Sequence, residues 1–173
     1  MKTALHMTAS AAVLAFAGLA ATLAYAANTK REIVSVAPAA CQPFFSTTQA
    51  RYSASGLTNA GASPFYVVCS TGGSWQESAN NGNDYMAIYV SNPTANAVTV
   101  NCTARPGYVV GTESFQKASP KSQEIPAGSS IGFTWTSINF GVTTMGNANF
   151  TCALPPGLII NLVHTIEHVE IGT

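Results

Sequence analysis

Apolar and polar residues alternate with a period of two along much of the chain. Phe65, Val67 and Cys69 alternate with Tyr66 and Val68, and Val98, Val100 and Cys102 alternate with Thr99, Asn101 and Thr103. Ile131, Phe133 and Trp135 alternate with Gly132, Thr134 and Thr136, and Phe150, Cys152 and Leu154 with Asn149, Thr151 and Ala153. Successive side chains of an extended strand point to opposite faces, so each run predicts a β-strand with one buried face. Tyr85–Val90 obeys the same rule: Tyr85 and Tyr89 share one face and Met86, Ile88 and Val90 the other. One of these sets lies inside and the other is partly exposed.

Between these runs the turn residues fall where strands must end. Gly72-Gly73, Pro106-Gly107 and Pro126-Ala127-Gly128 break the chain, and Asn92-Pro93 joins Tyr85–Val90 to Ala97–Ala104 in what reads as the clearest hairpin. Ser53–Ser63 and Glu77–Asp84 read as polar loops, Lys117–Gln123 as a polar connection, and Tyr108–Phe115 as a further strand. Leu158–Ile171 is apolar in both parities. Leu158, Ile160, Leu162 and Ile166 share one parity, and Ile159, Val163, Val169 and Ile171 the other. This predicts one long strand, with a bulge, that is central or crosses between sheets. No helical repeat appears after the first segment. The whole predicts an all-β fold, a single antiparallel β-sandwich of roughly eight strands, immunoglobulin-like or jelly-roll-like.

The first segment belongs to targeting. Lys2 is followed by an uncharged Ala/Leu/Val/Phe-rich run over Ala9–Leu23 and by Ala24-Tyr25-Ala26, the small-x-small pattern of a secretory cleavage site. Residues 1–26 are therefore expected to be a signal peptide, with no stable membrane insertion once it is removed. Residues 27–40 form an arm or edge strand carrying Ile33, Val34 and Val36, and residues 41–173 form the sandwich domain. With Lys2 set aside, six Lys and Arg balance seven Asp and Glu, with no basic cluster. That balance argues against nucleic acid and anionic membrane surfaces as partners. Polarity is carried by Ser, Thr, Asn and Gln, an extracellular style of surface.

Four cysteines, Cys41, Cys69, Cys102 and Cys152, follow the signal peptide, and an even count in an exported chain reads as two disulfides. Their long spacings contain no Cys-x-x-Cys pair and fit neither a zinc knuckle nor a redox motif. Cys102 and Cys152 both fall on the inward parity of their strands, which favours pairing them with each other and Cys41 with Cys69.

Three patterns imitate functional sites. His164-Thr165-Ile166-Glu167-His168 spells H-x-x-E-H, a zinc motif that works on a helix. Among Ile, Val and Thr it reads as strand, where the histidines stand ~13 Å apart at ~3.3 Å per residue and Glu167 faces the other way. Gly128-Ser129-Ser130-Ile131-Gly132 spells G-x-S-x-G, but it lies between a proline turn and a strand, and no acid separates Ser130 from His164. Glu77, Asn80, Asn81, Asn83 and Asp84 could offer oxygens to calcium, yet not at the spacing of a calcium loop. We therefore expect no catalytic residue, metal or cofactor. Asn101-Cys102-Thr103 and Asn149-Phe150-Thr151 are formal glycosylation sequons on expected outer faces. Tyr85 and Tyr89 remain as a possible contact face for a sugar or a protein.

Cys41-x-Pro43, Tyr66 to Cys69, Val98 to Cys102 and Cys152-x-Leu154-Pro155-Pro156 before a β-rich tail resemble a loose group of small exported proteins of Gram-negative bacteria. The resemblance implies a bacterial exported β-protein, periplasmic or extracellular, and carries no assigned activity. The sequence thus points first to a non-enzymatic binding or interaction module, its partner an unidentified protein or glycan. A self-assembling structural subunit is the alternative, and an enzyme of unknown class the second.

Overall fold

The computed structural model describes residues 27–71, 82–107, 117–142, 145–147 and 149–171. The expected signal peptide, the expected strand over Tyr108–Phe115 and the candidate calcium residues Glu77, Asn80 and Asn81 lie outside them. Eleven strands are described: β1 Ala27–Val36, β2 Cys41–Pro43, β3 Ala50–Ser53, β4 Gly56–Asn59, β5 Phe65–Ser70, β6 Gly82–Asn92, β7 Val98–Arg105, β8 Ser119–Ile125, β9 Ser129–Thr136, β10 Asn149–Leu154 and β11 Ile159–Ile171. A four-residue helical turn, Ala37–Ala40, joins β1 to β2. Among the described residues no helix is long and apolar enough to cross a membrane.

The strands form two antiparallel sheets, one of six strands in the order β3-β4-β11-β6-β9 with β1 also on β11, and one of five in the order β2-β5-β10-β7-β8. The eight strands β4 to β11 are the jelly-roll arrangement, not the immunoglobulin one: β4-β11-β6-β9 faces β5-β10-β7-β8, and the chain changes sheet at nearly every connection. β11 is central, as its two-sided apolar pattern predicts. The bulge has a definite place. The pairing of β11 with β6 shifts register between Ile160 and Leu162, so Asn161 is the extra residue. Before it, Leu158 and Ile160 point inward; after it, Val163, Thr165 and Glu167 do. One inserted residue exchanges the parities. The β3–β4 turn presses on this point, since a Cβ at Gly56 (φ +140°) would lie 2.0 Å from the Ile160 carbonyl oxygen.

The hairpin expected at Asn92-Pro93 does not form. β6 and β7 lie in different sheets, and the connection is an arch held by Asn92. This fully buried side chain donates to the carbonyls of Asn96 (2.7 Å) and Ile125 (2.9 Å) and accepts from the Thr94 amide (3.0 Å). The arch from β4 to β5 uses the same device. Asn59 donates to the carbonyls of Ser63 (2.9 Å) and Leu154 (2.7 Å) and accepts from the Gly61 amide (2.9 Å). Each amide satisfies backbone groups that the crossing chain takes out of a ladder.

Three further strands occupy stretches that read as irregular or polar. β3 and β4 pair as a hairpin overlapping the expected loop Ser53–Ser63, and β8 occupies most of the expected connection Lys117–Gln123. β8 is an edge strand whose residues, apart from Pro120, are polar on both faces up to Ile125, so its sequence shows no apolar alternation. β6 also begins at Gly82, taking in the end of the expected loop Glu77–Asp84.

The core lies between the sheets, where Phe133, Trp135, Phe150, Met86, Ile88, Leu154 and Ile160 are fully buried. Trp135 donates to the Ser119 carbonyl at 3.0 Å, and Lys121 reaches the Thr134 carbonyl with its ammonium 5.4 Å from the Trp135 ring centroid. These contacts close the β8–β9 side. Both disulfides are as expected, Cys41–Cys69 and Cys102–Cys152, and each joins directly opposed residues of neighbouring strands in the five-stranded sheet. Their sequence separations of 28 and 50 correspond, on a chain-entropy model, to about 3.5 and about 4 kcal/mol of stabilisation.

Candidate functional site

The pleat of β6 sends Met86, Ile88 and Val90 into the core and leaves Tyr85 and Tyr89 on the outer face of the six-stranded sheet. Cross-strand partners share a face. Register therefore sets Tyr89 between Gly132 of β9 and Leu162 of β11, and Tyr85 between Thr136 and Ile166. His164 stands opposite Ala87, between the two tyrosines. The three rings gather over Ala87, which is fully buried although it points outward. The His164 ring centroid is 5.3 Å from that of Tyr85, edge to face, and 6.5 Å from that of Tyr89, near parallel.

The tyrosine hydroxyls approach to 3.5 Å. Desolvation, and then the hydrogen bond and repulsion from Tyr89, push the Tyr85 phenol well above the ordinary tyrosine range, so it remains a neutral donor. Tyr89 leans towards the sheet edge. A Cβ on Gly132 would lie 3.0 Å from its Cε1 and 3.3 Å from its Cζ, so the glycine is the seat of the ring.

β1 closes the other flank. Val34 pairs with His164 and Val36 with Leu162, and both valines are more than half exposed. Glu32 Oε1 lies 2.8 Å from His164 Nε2, off the direction of a hydrogen bond. On the inner face Arg31 reaches the buried Glu167 carboxylate. At the bulge end a polar chain crosses the sheet: Ser91 Oγ lies 2.6 Å from both Ser130 Oγ and Asn161 Oδ1, and Asn161 donates to the Ser55 carbonyl at 2.9 Å.

The imitative motifs take definite positions on this frame. His164 and Glu167 lie on opposite faces of β11 and cannot share an ion, and His168 continues the same strand opposite Lys30. Ser130 follows a turn and begins a strand, and its hydroxyl meets Ser91, not a histidine. Asn83 and Asp84 belong to β6. Among the described residues no group of three or more His, Cys, Asp or Glu is placed to hold a metal. Asn101 and Asn149 are in β7 and β10, on the outward parity, opposite the buried Cys102 and Phe150.

The sequence separated the tyrosines from the core residues of β6 but did not bring His164, Ser91, Ser130 or Asn161 to them, because that requires the bulge and the register. It also missed a second aromatic group, Phe44, Phe45 and Tyr66, each more than half exposed at the β2–β5 edge of the other sheet. Phe44 and Phe45 are in edge contact at 4.6 Å, and the Phe44 amide donates to the Tyr66 carbonyl.

No protein-family model matches the chain, and no curated protein matches it in sequence. Two solved structures are similar in fold. One is a xylan-binding module, CBM15, with 16% identity over 83% of this chain and 100% of the other and a TM-score of 0.44. The other is an exo-β-1,3-galactanase from Phanerochaete chrysosporium solved with galactose, with 12% identity over 80% of this chain and a TM-score of 0.40. The chain spans 29% of the galactanase.

Proposed function

We propose that the protein is an exported, non-enzymatic binding module that takes a glycan on the outer face of its six-stranded sheet. The observation that carries this reading is the gathering of Tyr85, Tyr89 and His164 on the outer sheet face, which no strand of the described residues covers, with the polar chain Ser130–Ser91–Asn161 beside them. Aromatic rings offer apolar area to the C–H faces of a sugar, and the tyrosine hydroxyls and flanking side chains can exchange hydrogen bonds with its hydroxyls. The two disulfides fit an oxidising compartment, as does the secretory pattern of residues 1–26. A bacterial source remains the proposal that the cysteine and Leu-Pro-Pro pattern supports.

On a glycan array, the oxidised protein should bind at least one carbohydrate, and Tyr89→Ala should weaken that binding roughly tenfold, equivalent to about 1.4 kcal/mol. Unchanged binding in Tyr89→Ala would remove this face from the function. A second reading, a subunit that self-assembles, is favoured by β1, which pairs on one side with β11 and carries Val34 and Val36 exposed beside that edge.

A further inference from the structure

We infer that the ligand is an uncharged, extended polysaccharide and that it lies along β9, across the Tyr89 ring seated on Gly132. The inference rests on the glycan reading and adds to it the ligand's charge, its shape and its path.

The path follows from which side chains accompany the tyrosines. On the β11 and β1 side, the outward residues beside Tyr89 and Tyr85 are the apolar Leu162, Ile166, Val34 and Val36, and the two polar ones, Glu32 and His164, lie against each other. On the β9 side the outward residues are Ser130, Gly132, Thr134 and Thr136. Ser130 and Thr136 are exposed, and nothing among the described residues pairs beyond β9. Tyr89 fills the one position in this line that has no side chain of its own. The line therefore reads hydroxyl, aromatic ring, hydroxyl, hydroxyl. At ~3.3 Å per residue it runs ~20 Å from Ser130 to Thr136, long enough to require a chain of sugars instead of a single ring.

The charge follows from where the ionic groups point. Lys121 is turned under the edge to the Thr134 carbonyl and the Trp135 ring, and Lys117 is directed to the Gly141 carbonyl at 3.4 Å. Glu32 lies beyond β11 against His164. Among the described residues, no arginine or lysine side chain lies on the outer face of β9 to pair with the carboxylates of an acidic polysaccharide.

The test is affinity electrophoresis of the full oxidised mature protein in gels containing galactomannan, mixed-linkage β-glucan, polygalacturonate or alginate. The gels are run at low salt and at about 0.5 M NaCl, where exposed ionic contacts are screened. Ser130→Arg and Thr136→Arg obstruct the β9 line, Val34→Arg places the same side chain on the opposite flank, and a thermal melt checks that each variant is folded. We expect retardation by a neutral polymer that salt leaves unchanged. The two β9 variants should lose it by roughly tenfold or more, and Val34→Arg should stay within about twofold. Binding confined to the acidic polymers and lost in salt overturns the inference. So does binding that Tyr89→Ala abolishes while both β9 variants retain it, which leaves the glycan reading standing. If none of the four polymers retards the protein, the inference falls, and binding to some other glycan on the array would keep the broader reading alive.

Discussion

At the scale of single residues, the tyrosine pair shows how much a side chain owes to its neighbours. Parity alone separates Tyr85 and Tyr89 from Met86, Ile88 and Val90, so their presence on one face was legible in the sequence. Their contact with His164 was not, because residues 75 and more positions apart meet only once the register is known. The raised phenol of Tyr85 gives a pH test. Its unfolded-state value is near 10.0 and its folded value is higher, so above pH 10 the unfolded chain gives up the proton while the folded one keeps it. The unfolded state then binds fewer protons, and stability falls as pH rises. Thermal melts between pH 8 and about 11 should show the wild type losing stability more steeply than Tyr85→Phe; parallel profiles would mean that the phenol is not held as described.

At the scale of elements, the alternating strands were readable and the connections were not. Asn92-Pro93 carries good turn chemistry, and turn chemistry does not say whether the chain returns beside its own strand or crosses to the other sheet. The buried amide decides it. Asn92→Ala leaves the Ile125 and Asn96 carbonyls without their donor and should cost about 2–4 kcal/mol in urea denaturation. Asn92→Asp keeps the shape and loses the donor, so it should be destabilised as well. A loss below about 0.5 kcal/mol in both would show that the arch is held by other contacts. β8 was illegible for a different reason: an edge strand pinned by Lys121 and Ser119 needs no apolar face of its own.

At the scale of the molecule, length and pattern gave a two-sheet sandwich, but the choice of jelly roll depends on which strands neighbour β11, and no local signal records that. β1 is the element on which the assembly reading depends. Among the described residues no strand pairs with β1 on the side away from β11; β1 carries Lys30, Arg31 and Glu32 towards one end, charges that discourage strand addition, while Val34 and Val36 lie towards the other. If assembly through β1 operates, light scattering on a sizing column should report an oligomer that Val34→Lys converts to monomer; a wild-type monomer at every concentration removes that reading. The bulge at Asn161 has a consequence for descent as well as for shape. Past it, the core receives Val163, Thr165 and Glu167 while Leu162 and Ile166 are turned out beside the tyrosines. Because Asn161 is the extra residue between Ile160, opposite Val90, and Leu162, opposite Tyr89, a chain lacking that one codon would keep Leu162, His164 and Ile166 outside and lose only the kink and the amide that ties Ser91 to the Ser55 carbonyl. Ancestors differing by one triplet would thus share the fold and the aromatic face, and differ in the polar end beside it.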